Sequence, residues 1–251
     1  MSLWVVLLGG LAAFPVSTRQ AVDYEVKELR LPLGVKTSEF LLRDYWYRRM
    51  AREITQEARG DEARLNALLA WTREHIRRTP AGWPVVDDHI LHTILRGYGE
   101  EDQRADVFTT LSSYAGIPSF WSVIKLGDAK GKRLVLSFCL LEGRWTVWDV
   151  ARGIVFRNEK ASMVSVSDLV ADQRLVSMNV AGLKHQGRPY GEYLSEGLPY
   201  FFVPEFRRPQ KQMLWPRVLF EFKRMWIRIA SRQPSVDVEE FDPQPVFGHS
   251  R

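Results

Sequence analysis

The sequence predicts an α+β protein, and three observations carry the prediction. Up to about residue 115 the apolar residues recur at helical spacing, from Ser119 the period drops to two, and three successive period-two segments are joined by short turns. Helices followed by an antiparallel meander is the α+β order. The 251 residues are 45% hydrophobic, 26% charged and 12% aromatic, the balance of a globular chain rather than a disordered or fibrous one. One domain with appendages is the default reading.

Each element follows from local sequence. Leu3 to Val16 is an uncharged run of fourteen residues, short of the roughly 18–20 apolar residues that a membrane-crossing helix needs, and no other stretch reaches that length. No Lys or Arg precedes it, as a secretory signal would require, although Ala12 and Ala13 suit a cleavage site. It reads as a buried N-terminal segment or as the remnant of a signal or anchor. Tyr24 to Leu31 alternates like a strand that Pro32 and Gly34 end. A helix rich in aromatics and arginine is expected over about Ser38 to Arg59, broken by Gly60. A second opens at Asp61 as N-cap, puts Leu65, Leu68, Leu69, Thr72 and Ile76 on one face, and stops at Thr79-Pro80. A short helix from about Asp87 to Leu95 ends at Gly97 and Gly99. Asp102 to Ala115 sets Val107, Leu111 and Tyr114 beside Ala105, Phe108 and Ser112, a buried helix closed by Gly116. The strands are Ser119 to Leu126, Arg133 to Leu141 and Arg144 to Val150, joined by a turn over Gly127 to Lys132 and by Glu142-Gly143. A later helix near Ser165 to Ala171 takes Ser165 or Ser167 as its cap.

Charge is unevenly distributed. Arg207 to Arg232 holds eight basic residues against Glu221 alone, so that segment carries +7 of a whole-chain +5 and the remainder sums to −2. A uniformly basic nucleic-acid binder does not fit, and no specific nucleic acid is expected. Within the segment Leu214, Val218, Phe222, Met225, Trp226 and Ile229 recur at helical spacing around Arg217, Glu221, Arg224 and Arg228. Such an amphipathic helix either docks its apolar stripe on the domain or presents Arg217, Lys223, Arg224 and Arg228 to an anionic membrane surface or an acidic partner. Residues 233–251 form a Pro-containing, acidic tail. The single cysteine, Cys139, excludes an intramolecular disulfide, a Cys-based zinc knuckle and an iron–sulfur cluster. Lying mid-strand, it reads as a buried structural thiol.

The run from Gly97 through Tyr98, Gly99, Glu100, Glu101, Asp102, Gln103, Arg104, Ala105 and Asp106 to Phe108, followed by Gly116-Ile117-Pro118, resembles the nucleophile helix of the bacterial transglutaminase-like, papain-like superfamily. Gly143-Arg144-Trp145 and Asp149, four residues beyond Trp145, resemble that family's second block, and Trp71 fits its lead-in helix. The resemblance covers roughly residues 61–149 and implies a domain over 24–200, after an apolar segment 1–23 and before a basic segment 201–232. In the family a thiolate at a helix N-terminus, an imidazole and an aspartate carry acyl transfer. Counting from Gly116 puts the cysteine at Glu101, or at Glu100 if the turn slips by one; counting from Trp145 puts the histidine at about Leu134 or Leu136. Only the aspartate survives, as Asp149.

The resemblance therefore implies a retained fold without the Cys-His pair, needing no cofactor or metal. The expected role is binding a peptide, glycan or protein partner in a cleft between Gly99–Asp102 and Asp149, lined by Trp83, His89, His92, Asp102 and Gln103. Each candidate also has a plain structural reading. Glu100, Glu101 and Asp102 suit a helix start, where each carboxylate is stabilised by roughly 0.3–1 kcal/mol. His89 and His92 share a helix face, but two ligands without a third define no metal site. Trp121, Trp145 and Trp148 suit core packing. The enzymatic alternative is a divergent hydrolase or acyltransferase using Glu101 and Asp149, with His89 or His92 folding back over them. A third reading is an adaptor that presents the basic helix. The chain is expected in the cytoplasm or peripherally at a membrane, with export if the first residues are a signal remnant.

Overall fold

A computed structural model describes residues 12–22, 25–85, 89–125, 133–205 and 207–231, without the side chains of 18–27, 224–225 and 227–231. Most of the apolar N-terminal run, Asp87, the Gly127–Lys132 turn, the acidic tail and the side chains of Arg224 and Arg228 lie outside the described residues.

Two strands, β1 (Pro15–Val22) and β2 (Glu25–Pro32), form an antiparallel hairpin in register from Pro15↔Pro32 to Val22↔Glu25. Only the second strand is legible in the sequence. Helix α1 (Leu33–Thr55) starts earlier and stops sooner than its pattern suggests. Gly34 lies inside its first turn rather than at a break, and a Cβ there would meet Ala12 Cβ and O at 3.2 Å. Helix α2 (Asp61–His75) has Gly60, not Asp61, as its N-cap; Asp61 and Glu62 instead sit in the first turn, where carboxylates favour the helix dipole. Next come β3 (Arg77–Arg78), α3 (Ile90–Arg96), β4 (Tyr98–Gly99), which pairs parallel with β3, and α4 (Glu101–Tyr114).

The expected meander is present as β5 (Ser119–Lys125), β6 (Arg133–Leu141) and β7 (Arg144–Asp149). A short β8 (Ile154–Val155) completes a four-stranded antiparallel sheet in the order β5-β6-β7-β8. The architecture is α+β, with helices packed on that sheet.

Side-chain alternation along the strands builds a core on each face. On one face Cys139, Trp148 and Val150 meet Tyr47 and Ala51 of α1, Leu65, Leu68 and Leu69 of α2, and Val107, Phe108 and Leu111 of α4. The indole of Trp148, fully buried, tilts onto Phe108 with ring centroids 5.7 Å apart. On the other face Leu134, Leu136, Phe138 and Val147 meet residues of α5 (Val166–Ala171), α6 (Gln173–Val180) and α7 (Tyr190–Gly197). Ser165 caps α5: Asp168 N–H donates to its Oγ at 3.2 Å, and its own N–H donates to Asp168 Oδ2 at 2.8 Å. Between α6 and α7 lies a tight hairpin, β9 (Lys184–His185) with β10 (Arg188–Pro189). The described residues close with 3-10 turns at Leu198–Tyr200 and Arg208–Gln212 and with α8 (Leu214–Ser231).

Candidate functional site

The start of α4 is built by local sequence. Gly97 terminates α3 at φ +72°, a left-handed conformation that glycine adopts without penalty. Gly99 brings the chain against Gln103 and Thr93, where a Cβ would sit within 3.0–3.1 Å of side-chain atoms. Glu100 N–H then donates to Gln103 Oε1 at 3.1 Å and Gln103 N–H to Asp102 Oδ1 at 2.9 Å. These bonds satisfy amides at a helix start that have no intrahelical acceptor. They fix Glu101 at the first helical position.

Asp149 ends β7 and is fully buried. The turn that follows folds back on it: Gly153 N–H donates to Asp149 O at 2.7 Å and Arg152 N–H to Oδ1 at 2.9 Å. Arg152 Nη1 donates to Oδ2 at 3.0 Å, and Tyr190 at the start of α7 donates its hydroxyl to the same oxygen at 2.6 Å. The other terminal nitrogen of Arg152 reaches Glu101 Oε1 at 3.4 Å and His185 Nδ1 at 2.5 Å. An arginine only donates, so Nδ1 accepts and the ring hydrogen belongs on Nε2, which donates to Arg133 O at 2.8 Å. One guanidinium therefore ties together the Glu101 carboxylate, an imidazole and Asp149. Its two contacts put Glu101 Oε1 within about 6 Å of His185 Nδ1.

The electrostatics follow from this arrangement. Burial alone would lower the Arg152 pKa, but the charge and hydrogen bond of Asp149, together with Glu101, hold it above the usual guanidinium value. Burial first, and then the Asp149 carboxylate, push the Tyr190 phenol well above 10. Neither group takes a proton at neutral pH. Neighbouring Arg104 is shifted down by burial and by Arg73, against the pull of Asp149 and Glu101, and its Nη1 donates to Ala151 O at 3.4 Å. Cys139 is fully buried in β6 and its thiol is pushed up to about 12 by burial, so it supplies no thiolate here.

The remaining sequence candidates distribute differently from the single cleft expected. Leu134 and Leu136 share the sheet face of Asp149, as a histidine and aspartate pair would, but both are fully buried in the apolar core with Tyr190 and Tyr193. Asp102 and Gln103 line a cavity of about 270 Å³ with Ile90, Asp106, Trp121 and Arg208. Trp83 is 54% exposed and packs edge-on against Tyr98 in a separate recess of about 620 Å³ beside Arg77, Arg78 and Arg96. Neither cavity is lined by Glu101 or Asp149. His89 is the N-cap residue of α3 and His92 lies within that helix, their rings 6.1 Å apart. The histidine that the Arg152 guanidinium brings to Asp149 is His185. Among the described residues no cluster of three or more His, Cys, Asp or Glu side chains is arranged to hold a metal ion. Trp148 is core, Trp145 packs edge-on against Phe120, and Trp121 faces the smaller cavity with the Arg208 guanidinium 5.6 Å from its ring.

Arg152, His185 and Tyr190 are absent from the sequence-derived set. Arg152 had a local signal, a basic residue before Gly153 in the turn leaving Asp149. His185 and Tyr190 had none, being 36 and 41 positions from Asp149 in elements without a motif.

No family model matches the chain, and no curated protein matches it. It is distantly similar in structure to a "putative cysteine protease" from Cytophaga hutchinsonii, with a TM-score of 0.38 and 14% identity over 43% of this chain and 38% of that one. A "putative protease" from Parabacteroides distasonis gives a TM-score of 0.34 and 12% identity over 62% of this chain and 41% of that one. The chain spans about two fifths of the length of each.

Proposed function

We propose that this chain is a transglutaminase-like, papain-like domain protein that is catalytically inactive and binds a peptide segment of a protein partner. The observation that carries the reading is the position of Arg152. Acyl transfer in that family needs a thiolate that an imidazole can reach. Here a carboxylate stands at the nucleophile position, and a guanidinium that cannot accept a proton lies between it and His185. Asp149, with its oxygens held by Arg152 and Tyr190, serves as the anchor of this network. The recess beside Asp102, Gln103, Asp106, Trp121 and Arg208 offers acceptors, donors and an aromatic wall, which suits a peptide side chain.

The test is a paired assay for peptide or ester hydrolysis and for amine incorporation on the wild type, Glu101→Gln and Glu101→Cys. No turnover is expected from any of them, because a cysteine at position 101 still lacks an available base. Peptide-array binding that falls in Trp121→Ala would support the recess as the contact. The geometry favours one second reading, a carboxylate-based hydrolase in which Glu101 and His185 act across Arg152, since the two lie within about 6 Å. That reading requires wild-type turnover with a bell-shaped pH–rate profile that Glu101→Gln abolishes.

A further inference from the structure

We infer that the exposed face of α8 docks on an anionic lipid bilayer surface. The inference is independent of the Arg152 cluster. Helix α8 meets the domain through Phe220, which is 6% exposed, with Lys211 Nζ 4.8 Å and the Arg217 guanidinium 5.7 Å from its ring centre. The apolar residues turned outward are different ones. Trp215, Leu219, Phe222 and Trp226 are 73%, 64%, 61% and 71% exposed. At 100° per residue these four fall within an arc of about 60°, a stripe running roughly 16 Å along the helix. Two tryptophans, a phenylalanine and a leucine in line are more than the scattered apolar residues a surface normally shows, and a contiguous patch of this kind marks a binding face.

Charge selects the occupant. Residues 205–231 hold seven basic side chains and two acidic ones. Glu221 pairs with Arg217 at 2.5 Å, Glu205 with Lys223, and Asp106 of α4 with Arg208 at 2.8 Å, so three of the seven bases face these acids and the surplus of charge over them is carried by Arg207, Lys211, Arg224 and Arg228. A second copy of the chain would bring that surplus against itself, a like-charge encounter that disfavours pairing. A layer of anionic headgroups neutralises it, and indole rings favour the boundary between headgroups and acyl chains. Helix α8 is not long and apolar enough to cross a bilayer, so it lies along the surface.

The experiment is co-sedimentation of the full chain with vesicles of phosphatidylcholine alone and with roughly 7:3 phosphatidylcholine to phosphatidylglycerol. Binding to the anionic vesicles only is expected, falling as salt is raised. Removing two charges in Arg224→Gln/Arg228→Gln lowers partitioning several-fold, short of the roughly five-fold per charge of a base at the surface, because both positions lie on the helix side opposite the Trp215–Trp226 stripe. Trp215→Ser/Trp226→Ser also releases the protein, while its melting temperature stays near the wild-type value because both side chains are exposed. Quenching of tryptophan emission by bromine-labelled lipid should be lost in the same variant. The inference is overturned by equal binding to neutral and anionic vesicles or by binding to neither. It is also overturned by concentration-dependent dimerisation, without lipid binding, that the tryptophan pair abolishes.

Discussion

Replacing Asp149 by asparagine removes the one carboxylate that anchors Arg152 from within the core, and the structure sets the cost. Three donors converge on Asp149: Arg152 N–H on Oδ1, and Arg152 Nη1 with the Tyr190 hydroxyl on Oδ2. An asparagine has one acceptor oxygen, so its NH₂ must face at least one of these donors. Hydrogen bonds to charged groups are worth about 1.5–3 kcal/mol each, and breaking a buried ion pair from one side costs about 3–5 kcal/mol. The Arg152 side chain keeps 23% of its surface, which places the loss at the lower end, about 3 kcal/mol. For a chain of this size that is a fall in melting temperature of roughly 6–12 °C. Thermal and urea unfolding followed by circular dichroism measure it, with Tyr190→Phe as comparison. That variant keeps both Arg152 bonds and should lose only about half as much. Because Asp149 and Arg152 act on each other, the double variant with Arg152→Gln should be less destabilised than the two single changes added together. A fall below about 2 °C for Asp149→Asn, or strict additivity in the double variant, would refute the anchoring argument.

Three further outcomes follow from the same geometry. Cys139, buried and with its thiol pushed up to about 12, should resist thiol reagents at pH 8 until the protein is unfolded, whereupon one equivalent reacts. Tyr190 is held protonated by burial and Asp149, so its folded pKa lies above its unfolded value near 10. The stability it contributes is fully present below pH 10 and is lost as pH rises beyond it, and the alkaline decline of the melting temperature should be shallower in Tyr190→Phe. In Gly197→Ala the new Cβ would overlap Ile124 Cγ2 in the core, and overpacking of this kind should cost about 1–3 kcal/mol by urea unfolding.

The sequence by itself determined the principal helices up to α4 and the β5–β7 meander, because that information is local, while β1, β8 and the elements from α6 to α7 left no such signal. The Glu142-Gly143 turn and the apolar runs on either side of it place β6 and β7 to within a residue. Glycine punctuation and the polar run before Ala105 place the start of α4, and Ser165 places that of α5. The basic C-terminal helix was equally legible, but not its orientation. Amphipathic spacing defines an apolar stripe without saying whether the domain covers it, and here Phe220 docks while Trp215 and Trp226 face outward.

The candidate site was half legible. Glu101 and Asp149 were found because each sits at a fixed offset from a turn. Tertiary structure alone decided what joins them. Arg152 reaches Asp149 because the turn after β7 reverses on itself, and His185 and Tyr190 arrive from a hairpin and a helix whose packing on the sheet brings them there. It likewise decided that Leu134 and Leu136 are core residues and that Asp102 and Trp83 line different recesses. Spacing along a chain specifies which residues share a strand or a helix face. Which faces meet is set by burial of apolar surface summed over the whole fold, a quantity that no short segment contains.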